Sequence, residues 1–238
     1  MPAPCTITLA GDEFTLLPQR AAFWHARSTL LLADLHLGKV ETFAAHGIPL
    51  PDVMTRQLAA FTALIAATQP QRVLILGDLL HAPAGLTEPM LEAVRVWRER
   101  HTCEFAVIPG NHDRHLEKVA RWWNMRVLQP RHDEGSFTFI HEPTHIPSRT
   151  VFAGHVHPVV KLRSSSDTLK LWCFVIDDHD DMSATITLPA FCDFTSGGTV
   201  DHRAPRRRIF AIAENTIVPL AQPQSSASAL PKHVPAQA

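Results

Sequence analysis

The sequence predicts an α/β protein, and two observations carry that prediction. Between residues 29 and 108, short apolar runs alternate with amphipathic helical patterns, and each run ends in a polar cluster rich in Asp, Asn or His. Parallel α/β sheets bind their ligands just beyond the carboxyl ends of the strands, so polar residues placed there carry functional information. Ahead of the alternation, residues 6–9, 13–17 and 21–25 read as short strands, with Gly11-Asp12 turning between the first two. Residues 29–33, Thr-Leu-Leu-Leu-Ala, suit a strand buried on both faces. Asp52 is a candidate N-cap, and behind it Met54, Leu58, Phe61 and Ile65 recur at spacings of four, three and four along one helical face. Gln69-Pro70 stops that helix, and residues 72–76 return as a strand ending at Gly77-Asp78. Thr87-Glu-Pro-Met opens a second helix, with Pro in its first turn, running to about Arg100. Residues 104–108 form the next strand, ending at Pro109-Gly-Asn-His-Asp113, and a further helix follows Asn111. The second half is β-rich, with strands over 136–140, 150–153, 170–176, 184–188 and 208–213. One folded domain over 1–220 is expected, followed by a disordered Gln/Ser/Ala/Pro-rich tail over 221–238.

Composition narrows the function classes. With 238 residues, 45% hydrophobic and 19% charged, the chain can bury a core without a disulfide framework. The net charge of −1 excludes a protein that grips nucleic acid through a broad basic face. The four cysteines (Cys5, Cys103, Cys173, Cys192) form no CxxC pair and read as small buried residues of a reducing compartment. The first ten residues lack the basic and apolar stretches of a secretory signal, and no apolar run is long enough to span a bilayer. A soluble, cytoplasmic protein without membrane attachment is the expectation.

The unusual count is 15 His, and the histidines fall where the strands end. Five clusters follow apolar runs: Asp34-Leu-His36, Gly77-Asp-Leu-Leu-His81, Gly110-Asn-His-Asp113, His141, and Gly154-His-Val-His157. Singly, Asp-x-His is as well read as a capped strand end, and Gly-His-x-His alone is a modest indication of metal. Together and in order, the clusters point to a site. Asp, Asn and His offer oxygen and nitrogen ligands without thiolate, a set that suits Mn2+, Fe2+ or Zn2+. Seven donors (Asp34, His36, Asp78, Asn111, His141, His155, His157) are too many for one tetrahedral ion and match two ions sharing a carboxylate. Glycines just before Asp78, Asn111 and His155 let the backbone turn sharply and approach such a centre closely.

These five clusters, in this order, resemble the calcineurin-like metallophosphoesterases. The resemblance implies a double-layer β-sandwich flanked by helices, with a dinuclear site at the strand ends. It implies one ion on Asp34, His36, Asp78 and His157, and another on Asp78, Asn111, His141 and His155. It also implies phosphodiester hydrolysis by a metal-bridging hydroxide, with His112 contacting the phosphate and protonating the leaving group, Asn111 near the substrate, and Asp113 orienting the His112 ring. The strings Leu32-Ala-Asp-Leu-His-Leu-Gly-Lys39, Gly47-Ile-Pro-Leu-Pro51, His141-Glu-Pro143, Gly154-His-Val-His-Pro158, and Leu188-Pro-Ala-Phe191 with Gly197-Gly198 are similar to the bacterial DNA-ligase-associated branch. That branch implies Mn2+-dependent cleavage of DNA, single-stranded in preference, during repair, in functional association with a DNA ligase, a helicase and an exonuclease-like protein. Homo-oligomers are compatible with it. His81 departs from the wider family pattern, and either contacts the phosphate or hydrogen-bonds within the site.

Other readings compete. A phosphomonoesterase or nucleotide pyrophosphohydrolase would use the same metals, because substrate choice resides in the surrounding loops. A non-catalytic scaffold predicts missing ligands, and none is missing. His141-Glu-Pro-Thr-His145 spells the zinc-protease string, which works only on a helix, and Pro143 argues against one. Arg203, Arg206, Arg207 and Arg208 are the densest basic cluster, either a solvated run or a phosphate-binding rim. Trp122-Trp123 suits core packing better than base stacking.

Overall fold

The structure is a computed structural model describing residues 5–48, 53–163 and 167–220. The expected Asp52 cap and the 221–238 tail lie outside the described residues. The first sheet has seven strands lying side by side in chain order: β1 (Cys5–Leu9), β2 (Asp12–Leu17), β3 (Ala21–Trp24), β4 (Thr29–Leu32), β5 (Arg72–Leu76), β6 (Glu104–Ile108) and β7 (Arg126–Val127). β1 to β4 are antiparallel meanders, and β4 to β7 are parallel. The parallel crossovers carry α1 (Lys39–Ala45), α2 (Val53–Thr68), α3 (Glu88–Arg98) and α4 (Leu116–Trp122).

The second sheet comprises β8 (Arg131–Glu134), β9 (Phe137–Ile140), β10 (Thr150–Ala153), β11 (Pro158–Arg163), β12 (Thr168–Asp178), β13 (Ala184–Thr187), β14 (Gly198–Thr199), β15 (Arg207–Ala213) and β16 (Thr216–Leu220). Its order is β14-β11-β12-β13-β10-β9-β8, and β15 pairs with β12 and carries β16. β9, β10 and β13 run parallel, so this sheet also ends several strands at one edge.

Burial explains the apolar runs. Leu30, Leu32, Val73, Ile75, Phe105 and Val107 face the helices, against Leu58, Phe61, Met90, Val94, Trp97 and Trp123. Leu31, Leu74, Ala106 and Ile108, with Phe14 of β2, face the other way and meet Phe139, Phe152, Phe174 and Ile186 of the second sheet. Alternate residues of β4, β5 and β6 thus serve two cores, and every position after the first residue of each strand is apolar because neither face meets water there. Aromatic contacts bridge the layers, with Phe14 and Phe152 centroids 4.8 Å apart. The expected double-layer sandwich with flanking helices is what the chain forms.

Strands expected over 72–76, 104–108 and 150–153 match β5, β6 and β10, and most others differ by a residue or two. α1 was not anticipated: none of its seven residues is buried, so it shows no apolar face. β8 reads Arg-His-Asp-Glu, a charged sheet edge that hides its strand character. β7, β11, β14 and β16 were also missed, the first and third being two residues long. No helix among the described residues is long and apolar enough to cross a membrane.

Candidate active site

The loops after β4, β5 and β6 of one sheet, and after β9 and β10 of the other, converge at one edge of the sandwich. The first two run alongside each other beyond the strands: His36 N–H donates to the Asp78 carbonyl (2.9 Å) and Leu37 N–H to that of Leu79 (2.8 Å). The sheets are tied there as well. His155 N–H donates to both carboxylate oxygens of Asp34 (3.1 and 3.0 Å).

Glycines make the convergence possible. A Cβ on Gly77 would lie 2.2 Å from His141 Nδ1, one on Gly110 2.3 Å from the Asp78 amide nitrogen, and one on Gly154 2.6 Å from Ala33 Cβ. Of the three, Gly77 also needs a left-handed backbone, at φ 82°.

The donor atoms form two groups sharing Asp78. Ligand atoms of Asp34, His36, Asp78 and His157 lie within 4.8 Å of one another, as do those of Asp78, His141 and His155. Asn111 Oδ1 completes the second group, 2.9 Å from His141 Nε2 and 3.1 Å from His155 Nδ1. All seven residues expected as metal ligands therefore come together. Asp34, His36, Asp78 and His141 are buried.

The donor arrangement fits divalent cations on its own chemistry. His141 Nδ1 lies 2.9 Å from the Leu76 carbonyl, which places the proton of the neutral ring on Nδ1 and leaves a lone pair on Nε2. That lone pair faces Asn111 Oδ1 and, at 3.4 Å, Asp78 Oδ2. His36 Nε2 and His157 Nε2 lie 3.3 Å apart, within reach of a hydrogen bond from whichever ring carries its proton there. Acceptors turned toward acceptors require a cation or extra protons between them. In the protein alone, protons take that place at His141. Burial opposes its charge, but the Asp78 carboxylate outweighs burial and pushes its pKa up to about 9. Asp78 is held below the usual carboxylate range despite burial, by hydrogen bonds from His141 and the His112 N–H. Burial pushes His36 down to about 3, leaving it a neutral imidazole ready to donate a lone pair.

His81 and His112 stand beside these groups, and their ligand atoms lie within 4.8 Å of His36. Their rings stack, with centroids 5.5 Å apart and planes 13° from parallel. Burial, then the charges of Lys39 and His112, push His81 down to about 4. The expectation that Asp113 orients the His112 ring is corrected. Asp113 accepts from the N–H groups of Leu80 and Gly110, both at 2.8 Å, and pins the loop backbone. The group facing His112 Nδ1, at 3.0 Å, is the His81 carbonyl oxygen. A backbone atom leaves no trace in a sequence pattern, so this partner was not foreseeable.

The residues of the competing readings lie elsewhere. His145 is outside both ligand groups, 3.2 Å from Asp181 Oδ2 and packed on the His179 ring, and residues 141–145 are not helical. Arg207 and Arg208 pair with Asp177 and Asp178, and Arg206 with Asp180, so the basic run is largely neutralised. Trp123 is buried and donates to the Leu91 carbonyl, whereas Trp122 is exposed.

The comparisons agree with this geometry. The family model for calcineurin-like phosphoesterases matches residues 28–173. Among solved structures, the Pseudomonas putida nuclease MPE shares 33% identity, covering 92% of this chain and 100% of that one, with a TM-score of 0.77. Yfce, a phosphoesterase from E. coli, shares 14% identity, covering 80% of this chain and 96% of that one, with a TM-score of 0.46. No functionally curated protein matches the sequence. A matched segment containing all seven donors and spanning well over half the chain, on a sandwich that brings those donors together, establishes that this protein belongs to the calcineurin-like phosphoesterase family of metal-dependent phosphoester hydrolases.

Proposed function

We propose that this protein is a phosphodiesterase that cleaves DNA, using two divalent cations with Mn2+ preferred. The observation that carries the proposal is the pair of donor groups sharing Asp78, with His112 and His81 beside them. The similarity to a nuclease along nearly the whole chain supports nucleic acid as the substrate. One ion would be held by Asp34, His36, Asp78 and His157, the other by Asp78, Asn111, His141 and His155. When bound, such ions neutralise developing phosphoryl charge and activate water for direct attack without a covalent intermediate. The protein's own residues do the rest. His112 points Nδ1 at the His81 carbonyl and keeps Nε2 for the substrate, as a general acid toward the leaving oxygen requires. His81, held neutral, is placed to donate a hydrogen bond to the phosphate. Asp113 keeps the Gly110–Asp113 turn in place. A cytoplasmic setting in DNA repair, beside a ligase, a helicase and an exonuclease-like protein, is proposed with it.

The test compares single-stranded DNA, duplex DNA, an aryl phosphodiester and an aryl phosphomonoester with added Mn2+. Cleavage of DNA and the aryl diester is expected. Fast monoester turnover without DNA cleavage sinks the proposal in favour of a phosphomonoesterase. His112→Ala should lose about 10²- to 10⁴-fold on DNA, whose alkoxide leaves poorly, and much less on the activated aryl diester. Equal losses on both substrates reject the general-acid role.

A further inference from the structure

Beyond the donor groups, a cleft of ≈ 470 Å3 opens between α1 and the loop after β13, lined by Lys39, Phe43, Asp193, Phe194, Thr195 and Ser196. A smaller recess beside it shares Lys39 and Phe194 with the cleft and is also lined by His36 of the candidate metal site and by Cys192. Both walls are tied to the site through backbone. Lys39 N–H donates to the His36 carbonyl (3.2 Å), while Cys192 N–H donates to the Asp34 carbonyl (3.1 Å) and Phe191 N–H to that of Ala33 (2.8 Å). Phe194 is 41% exposed, and it shares the class of exposed large aromatics only with Trp122 among the described residues. Its ring meets Phe43 edge to face, with centroids 6.3 Å apart. Asp193 is paired with Arg20, whereas Lys39, whose pKa burial lowers, makes no ion pair with a carboxylate among the described residues and is the cleft's one cationic side chain. An aromatic pair and a free ammonium, one recess away from a phosphodiester site, are the two groups a single strand needs: a face for a base and a charge for the neighbouring phosphate.

We propose that Phe43, Phe194 and Lys39 form a subsite for the unpaired nucleotide flanking the scissile phosphodiester, with the base stacked on the phenylalanines and its phosphate on Lys39. This inference rests on the nuclease reading and adds a reason for preferring a single strand, since a paired base cannot leave its stack to enter the cleft.

The experiment measures kcat/KM of the Mn2+-loaded protein and its Phe194→Ala and Lys39→Gln variants on single-stranded DNA and on bis(p-nitrophenyl) phosphate, which has no base. The aryl diester reports whether each variant retains a working site. Phe194→Ala is expected to lose about five- to hundredfold on DNA relative to the aryl diester, with Phe194→Trp restoring it. Lys39→Gln should reduce the slope of log kcat/KM for DNA against log salt by about 0.7. Removing the flanking base with an abasic nucleotide should slow the parent protein, yet add little to the Phe194→Ala loss. An unchanged ratio of DNA to aryl diester in Phe194→Ala overturns the subsite and leaves the nuclease reading standing. Absence of DNA cleavage by the parent protein overturns the nuclease reading itself, before any variant is made.

Discussion

Five of the seven candidate ligands occupy left-handed backbone: Asp34 (φ 56°), His36 (48°), Asp78 (50°), His155 (68°) and His157 (50°). Non-glycine residues pay about 1–2 kcal/mol for that conformation, so the loops store strain that holds side chains toward one point. His157→Gly and His157→Ala both remove a ligand, but the glycine variant should be the more stable metal-free protein by about 1 kcal/mol. Chemical denaturation of the two variants checks this, and equal midpoints refute it. The histidines also predict how the metal-free protein responds to pH. His141, 5% exposed and raised to about 9 from 6.5, binds its proton more tightly folded than unfolded. Its contribution of ~3 kcal/mol is complete below pH 6.5 and is lost as pH rises toward 9. His36 and His81, lowered to about 3 and about 4, act oppositely: the unfolded chain takes up the proton first, and stability falls as pH drops below 6.5. Metal-free protein should therefore be most stable near pH 6.5, as denaturation across pH 4–9 in chelator would show; a monotonic rise to pH 9 contradicts the protonated His141.

At the level of elements, the strand-end loops decide the site, and they were the most legible part of the sequence. Asp34, Asp78, Asn111, His141, His155 and His157 each stand within four residues of a recognisable apolar run, so their convergence followed once the strands were parallel. What stayed hidden has physical causes. α1 has no fully buried residue and lacks a hydrophobic period, so the helix carrying Lys39 and Phe43 could not be read. Phe194 lies far from them in sequence and is brought beside them by a segment whose Phe191 and Cys192 N–H groups donate to the Ala33 and Asp34 carbonyls. Asp113 misled because a carboxylate beside a histidine is a familiar pair, whereas here the turn's own N–H groups claim it. The glycines at the loop entrances were legible in position, and their need is steric. In Gly110→Ala the new methyl would sit 2.3 Å from the Asp78 amide nitrogen and Oδ1, so the two loops must separate. The expected result is at least about tenfold weaker Mn2+ binding and a stability loss of about 1–3 kcal/mol. Titration calorimetry giving parental affinity would rule out this steric account.

For the molecule as a whole, the two sheets contribute to each donor group: Asp34, His36, Asp78 and Asn111 come from the first, and His141, His155 and His157 from the second. A cation in either group would therefore join the layers of the sandwich at one edge, beyond the Phe14, Phe139 and Phe152 contacts that hold its middle. This placement makes metal binding part of the stability of the whole fold rather than of one loop. A ligand bound only by the native state adds RT ln(1 + [L]/Kd), about 2.7 kcal/mol at a hundredfold excess over Kd. For a chain of this size that corresponds to a rise of about 5–10 °C in Tm. Mn2+ added to chelator-stripped protein should produce that rise in a thermal scan, and chelator should reverse it. Asp78→Ala, which removes the carboxylate common to both groups, should abolish most of the rise and lower phosphodiester turnover by about a thousandfold, the equivalent of ~4 kcal/mol of lost charge stabilisation. A full Mn2+ shift in Asp78→Ala would mean that the ions bind elsewhere. Loss of the shift with turnover intact would separate the stabilising ions from the catalytic ones.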